Sequence, residues 1–420
     1  MDNAGRNRIL GSMQNAADIL IVGGGLNGPA LALALAQGGF RVTVVDARPA
    51  PDRAEPGFDG RAYALAIASV RVLSAIGVWP GLQEQAQPIL GIRVSQGHAG
   101  RGAFPLSLGF DHAEIEEDPM GHMVEDRHLY AAFRTAIARE KRITLIDGEK
   151  VVAQDVSGNR ATVTLASGGE LAAQIIVGCD GRDSATALRA GIRRQGWGYG
   201  QTALVCAVAH ERPHEGVAHQ FFMPSGPLAI LPLPGNRSSI VWTEADAAAA
   251  AIQALDDAAY LEVLRPRFGD FLGQISLAGA RFAYPLRLSL AESFVAPRVA
   301  LVGDAAHGVH PIAGQGLNLG LRDVAALAQV LIEARRRGED IAGSGVLARY
   351  QEWRRFDTVR MALGMDAVNR LFSNTNPLLE GLRGLGLGAV DALPTLRRAF
   401  IREAAGLNAA QPRLMQGLPI

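Results

Sequence analysis

The stretch ADILIVGGGLNGPALALALAQGGFRVTVVDAR, Ala17 to Arg48, decides the fold. Ile19 to Val22 are consecutive apolar residues, as expected of a strand buried on both faces. A glycine turn follows, then an apolar helix predicted from about Leu26 to Gln37, then a second strand ending at Asp46. This is a βαβ unit. Gly23, Gly25 and Gly28 form GxGxxG, and Asp46 lies 18 residues beyond the last glycine, close to the spacing at which a carboxylate meets a ribose hydroxyl. The glycines let backbone approach a pyrophosphate, whose charge is held by the helix N-terminus. A merely tight turn would also use glycine, but it would not need two flanking buried strands and a carboxylate at this distance.

Working outward, the chain has 420 residues, 48% of them apolar, which is enough for a large core and more than one domain usually needs. With 41 basic and 41 acidic residues the formal charge is zero, so the long-range field that nucleic-acid binders rely on is missing. Cys179 and Cys206 make neither a disulfide framework nor a zinc ligand set, and they suit a reducing compartment such as the cytoplasm. The polar opening MDNAGRNRILGSMQNA has no apolar signal core, and no run approaches the roughly 20 apolar residues of a membrane span.

From Arg142 the pattern changes to period-two segments: RITLIDG, KVVAQDVSGN, RATVTLASGG and ELAAQIIVGCDG, with Gly158-Asn159 and Gly168-Gly169 where hairpin turns are expected. A nicotinamide dehydrogenase would continue with another βαβ repeat. A meander that returns to a parallel strand is instead the plan of the large two-dinucleotide-binding flavoproteins. A second antiparallel region, TALVCAVAH and HQFFMPSGPLAILPLPGNRSSIVWT, joins GIRVSQGH in a separate sheet. The expected fold is α/β, a Rossmann-like domain interrupted twice by an antiparallel-sheet substrate domain, with a helical C-terminal tail. The boundaries are 16–75, 126–185 and 281–375 for the first domain, 76–125 and 186–280 for the second, and 376–420 for the tail.

A second stretch, LVGDAAHGVHPIAGQGLNLGLRD (Leu301 to Asp323), ends a strand at Gly303-Asp304, crosses a His/Pro/Gly loop and begins a helix. GGGLNG, CDGRDS (Cys179 to Ser184) and this stretch together resemble the flavin fingerprints of the single-component aromatic hydroxylases, the para-hydroxybenzoate hydroxylase superfamily. DGRAYALAIASVRVLSAIGVW, GPLAILPLP and the segment from Asn369 to Gly406 resemble its ubiquinone-biosynthesis hydroxylases. The likeness runs from about Ala17 to Gly406.

The resemblance implies FAD, held by Gly23, Gly25, Asn27, Gly28 and Asp46 at its adenosine end. Asp304, after Gly303, would meet the ribityl chain, and Pro311, Gly314, Gln315, Gly316, Leu317 and Asn318 would lie against the ring. Arg61 and Arg127 match positions that contact FAD, with solvated arginines as the bland alternative. Asp180 and Gly181 match a pair placed near FAD and pyridine nucleotide, although an ordinary turn also shows Asp-Gly. The family's Arg three residues after the motif serine is Ala187 here, with Arg189 two further on. His307 and His310 read as loop-shaping, with no metal site and no catalytic residue assigned.

The implied chemistry asks little of acid or base groups. Reduced flavin reacts with O2 to give a C4a-hydroperoxide that an electron-rich phenol attacks, with water excluded. A helix start carries about half a positive charge, which at about 4 Å and an effective dielectric of about 20 stabilises reduced flavin by roughly 2 kcal/mol. That corresponds to about 45 mV for a two-electron couple. NAD(P)H is the expected donor, docking transiently because no second GxGxxG exists, with a ferredoxin-type donor left open. A prenylated phenol would suit Phe222, Ile230 and Leu231, which simple sheet core would also explain. Between Asn376 and Gly406, apolar residues alternate with Arg383, Arg397, Arg398 and Arg402, as expected of helices lying on the inner face of a membrane, on other quinone-biosynthesis proteins, or back on the FAD domain. Rival functions with the same motifs are halogenation, isoprenoid reduction, and a flavin-stabilised scaffold without catalysis.

Overall fold

The computed structural model describes residues 17–49, 58–98, 102–115, 119–309, 314–372, 398, 402, 405–407 and 411–420. One sheet runs in the order Val295–Ala296, Val299–Leu301, Ile175–Gly178, Ile19–Val22, Val42–Asp46 and Ile143–Asp147. Its pairings are parallel from Val299–Leu301 across to Ile143–Asp147, and only the edge hairpin is antiparallel. Parallel strands must be covered on both faces, which is why their residues are almost uniformly apolar and buried.

The Asn27–Gln37 helix is buried from Gly28 to Ala36 and carries no polar stripe. It packs beside the Gln315–Arg336 helix, and a side chain at Gly38 would strike Ile332 at 2.4 Å. Of the period-two segments, RITLIDG is instead the parallel edge strand Ile143–Asp147, and the others form the meander Val151–Ser157, Arg160–Leu165 and Glu170–Ala173, whose Val151, Val163 and Leu171 join the same core.

A larger sheet gathers the segments Gly91–His98, Gly102–Asp111, Arg194–His210, Val217–Met223, Gly226–Leu233, Arg237–Ala245, Ile275–Leu277, Phe282–Ala291 and His307–Gly308. Alternation splits its two faces. Leu204, Cys206, Leu228, Ile230 and Trp242 pack under the Asp246–Gln253 and Asp257–Phe268 helices, through Ile252, Tyr260 and Leu264. Ala207, Ala218 and Leu231 face the other way, against Ala62, Ala64 and Met123 of a small bridging sheet, Ala62–Ala66, Gly121–Glu125 and Gln87–Ile89. Asp256 caps the second covering helix by accepting from the Ala259 N–H at 2.8 Å.

Of the tail, Asn376, Arg383 and Arg397 lie outside the described residues, and Arg398 and Arg402 are exposed. The last residues return to the core: Leu414 and Met415 are buried, and the Arg413 N–H donates to the Gln329 side chain at 2.9 Å. Among the described residues, no helix is long and apolar enough to cross a membrane.

Candidate functional site

The carboxyl ends of the parallel strands converge, as they do at ligand sites of open α/β sheets. Beyond the strand ends the ladder continues: Gly23 donates to Val45 O at 2.8 Å, Cys179 to Val22 O at 2.7 Å, and Val302 to Gly178 O at 2.9 Å. The glycine turn, the Cys179–Gly181 turn and the Gly303–Ala305 turn are thereby held side by side.

The three motif glycines do different work. Gly23 has φ +109°, and a Cβ there would lie 2.3 Å from Cys179 O. A Cβ on Gly28 would lie 2.0 Å from Gly23 O, so these two close the turn on itself. At Gly25 a Cβ would meet no atom within 4 Å, which marks open space above the turn. Asn27 wedges beneath Gly303 and Gly320, where side chains would strike its amide at 2.2 and 2.4 Å, and its Oδ1 is buried without a hydrogen-bond partner. Asp46 is buried at the end of its strand, with Oδ1 accepting from the Arg48 N–H at 3.2 Å. It borders a small cavity, about the size of one water, lined by Gly24, Tyr130, Phe133, Arg134 and Asp147. Sequence reasoning missed these last four, because they come from a helix and strand about a hundred residues downstream with no motif of their own.

At the other end, Asp304 is about one-third exposed and its Oδ2 accepts from Arg182 Nε at 3.0 Å. Arg194 backs the same turn, donating to Asp304 O at 3.0 Å, to Ala305 O and to Ser289 Oγ. Gly303 has φ +64° and Gly314 φ +63°, left-handed conformations that glycine adopts without strain. Gly314 caps the Gln315–Arg336 helix, whose first-turn N–H groups, at Gln315, Gly316 and Leu317, have no partner inside the helix by its geometry. Gly316 and Gly181 each face space empty within 4 Å. Pro311 and His310 lie outside the described residues.

Several expected ligand residues turn their side chains to protein. Asn318 accepts from Ala66 N and Ser69 Oγ and donates to Ala64 O and Gly314 O, so it ties the ring-side helix to the bridging sheet. The Asp180 carboxylate accepts from Ser184 Oγ, Thr186 N and Thr186 Oγ1, anchoring the short helix that follows. Arg189 reaches Val151 O at 2.6 Å. Arg61 is clasped by Asp59 and Asp126, and burial is outweighed by these carboxylates, which raise its pKa. Arg127 donates to the buried Glu125 at 2.7 Å, which Arg237 also reaches at 2.8 Å. Phe222 and Leu231 lie on the face toward Met123, whereas Ile230 points to the opposite, helix-covered face.

His307 is wholly buried and its Nε2 lies 2.5 Å from Asp323 Oδ2. Burial acts to raise the Asp323 carboxyl, but His307 and Arg354 more than offset it and hold the group below the ordinary carboxylate range.

An open backbone turn at a helix start, an orphaned Asn27 oxygen, a carboxylate at the end of the next strand and a second turn presenting Asp304 together fit an extended dinucleotide with a polar middle. FAD is such a molecule, and the fold and site define a FAD-binding flavoprotein. A family model described as "FAD binding domain" matches residues 16–361. The chain is 45% identical to "Ubiquinone hydroxylase UbiL" of Rhodospirillum rubrum, over 98% of this chain and 95% of that one. It is 37% identical to "3-demethoxyubiquinol 3-hydroxylase" of Escherichia coli, over 93% and 98%. The p-nitrophenol 4-monooxygenase PnpA of Pseudomonas putida shares the fold, with a TM-score of 0.78 at 20% identity over 94% of this chain and 99% of that one. The chain belongs to the FAD-dependent monooxygenase family that includes the ubiquinone hydroxylases.

Proposed function

We propose that this enzyme hydroxylates the aromatic ring of a polyprenylated phenol in ubiquinone biosynthesis, with O2 as co-substrate and NAD(P)H as electron donor. The observation that carries this reading is the end-to-end 45% identity to a ubiquinone hydroxylase, in a chain whose flavin turns are intact. FAD, when bound, supplies the activation of O2; the protein's residues supply binding, orientation and shelter. Gly25 would bring backbone to the pyrophosphate in the turn that Gly23 and Gly28 close, Asp46 would accept from the adenosine ribose, and Asp304 would accept from the ribityl chain. The first-turn N–H groups of Gln315, Gly316 and Leu317 favour negative charge on the ring.

The reading divides the chain discontinuously, with 16–75, 126–185 and 281–375 as the FAD-binding domain and 76–125 and 186–280 as the substrate domain, except that strand Phe282–Ala291 pairs with Arg194–His210 and so belongs with the substrate sheet. The face of that sheet carrying Phe222 and Leu231 turns toward Ala64 and Met123, and this is where the reading places the phenol. Ile230, on the far face, is assigned to the core. A prenylated substrate partitions into lipid, so the reading sets the enzyme in the cytoplasm at the inner face of a membrane, attached through a partner protein or through the part of the 376–420 tail that precedes the core-packed Leu414 and Met415.

The test is mass analysis of quinone intermediates after removing the chain from its host, joined to oxygen uptake by the purified holoenzyme. An accumulating prenylated phenol lacking one hydroxyl, which then stimulates NAD(P)H-dependent oxygen uptake and gains one oxygen atom, is the expected result. An unchanged quinone profile would refute the assignment, and so would uptake that yields a reduced or halogenated product.

A further inference from the structure

We propose that Asp323 is a positioning residue for the flavin-binding turn, and that through His307 and Arg354 it couples the Ser344–Phe372 helix to the cofactor. The inference rests on FAD as the cofactor, and assigns Asp323 no contact with it.

Asp323 lies in the third turn of the Gln315–Arg336 helix with its carboxylate wholly buried. Burying a carboxylate is costly unless each oxygen is engaged. Here Oδ2 accepts from the Gly303 N–H at 2.9 Å and from His307 Nε2 at 2.5 Å, while Oδ1 accepts from Arg354 Nε at 2.8 Å. One carboxylate therefore holds both ends of the 303–307 turn. Gly303 immediately precedes Asp304, and its left-handed φ of +64° makes the direction of the next side chain depend on how that amide is held. His307 stands seven residues before Gly314, the cap of the Gln315–Arg336 helix. Apolar packing would bury this corner without any charge, so the carboxylate is explained by what it orients.

Beside His307, the permanent counter-charge comes from the Ser344–Phe372 helix. Arg354 is itself buried, and it reaches Asp357 at 2.7 Å and Thr358 Oγ1 at 3.3 Å. One turn earlier, Tyr350 donates its hydroxyl to Leu301 O at 2.7 Å, at the end of the strand that carries the turn. A helix with no flavin-motif residue is thus fastened to the flavin turn at two points.

The test compares Asp323→Asn, Arg354→Met, Arg354→Lys and the Asp323→Asn/Arg354→Met double variant. FAD affinity of each apoprotein is titrated well below its own melting temperature. Asp323→Asn and Arg354→Met should each weaken FAD binding about tenfold, about what losing one charge-assisted hydrogen bond costs. Arg354→Lys should recover most of that loss, and the double variant should be no worse than Asp323→Asn alone. Melting temperatures that fall while FAD affinity stays at the wild-type value would overturn the proposal, as would additive losses. Should the variants not fold, hydrogen exchange in the unmodified protein decides: the Gly303 amide should exchange as slowly as the central strands, and rapid exchange would overturn it. Failure of wild-type apoprotein to bind FAD would instead refute the cofactor assignment.

Discussion

Replacing Gly25 and, separately, Gly28 by alanine distinguishes a glycine kept for a ligand from one kept for the fold. On Gly28 the new methyl would lie 2.0 Å from Gly23 O, 3.2 Å from Gly23 C and 3.4 Å from Ile21 Cγ2. A carbon and an oxygen normally approach no closer than about 3.2 Å, so helix and turn must separate by roughly an ångström. The obstacle is backbone, which puts the cost near the upper end of the overpacking range, about 3 kcal/mol. For a unit of this size that lowers the melting temperature by about 6–12 °C, with or without FAD present. On Gly25 the methyl meets no protein atom within 4 Å, and the residue is not left-handed. The apoprotein should melt within about 2 °C of wild type, as an uncrowded surface substitution does. FAD affinity should nonetheless fall by about tenfold or more, because the methyl enters the space assigned to the pyrophosphate. The assays are thermal melting of both apoproteins and fluorescence titration with FAD. Wild-type FAD affinity in Gly25→Ala would refute the placement of the pyrophosphate, and an unshifted melting temperature in Gly28→Ala would refute the packing account.

Asp46→Ala should lose a charge-assisted hydrogen bond to the ribose worth about 1.5–3 kcal/mol, or roughly 10- to 150-fold in FAD affinity, while excess FAD still fills the site; titration of the apoprotein checks it, and wild-type affinity would remove Asp46 from the site. The lowered pKa of Asp323 makes it a source of acid-sensitive stability: its contribution is complete above the ordinary carboxylate value of about 3.9 and is lost as pH falls through the lower folded value. Melting curves below about pH 4 should therefore fall more steeply for wild type than for Asp323→Asn; parallel curves would contradict the sign and origin of the shift.

Much of the cofactor half was legible from sequence because its determinants are local. The run Ile19–Val22, the glycines after it and Asp46 at the end of the next strand are spaced by backbone geometry alone, and the helix expected from about Leu26 begins at Asn27. The hairpins at Gly158-Asn159 and Gly168-Gly169 follow from alternation and turn chemistry in the same way. The direction in which a side chain is spent depends on neighbours far along the chain, and tertiary structure decided that. Asn318 is used up by Ala64, Ala66 and Ser69, some 250 residues away, and Arg61 is gripped by Asp126, which the bridging sheet brings up to it. Phe222 and Ile230 both sit in apolar strand sequence, yet pairing register sends them to opposite faces of one sheet. Arg182 and Arg194 reach the Asp304 turn across more than a hundred residues, and Arg354 reaches Asp323 from the next helix. A motif records which backbone a ligand can approach; which charges surround it is set only when distant segments pack, because a buried carboxylate must find its partners wherever the fold delivers them.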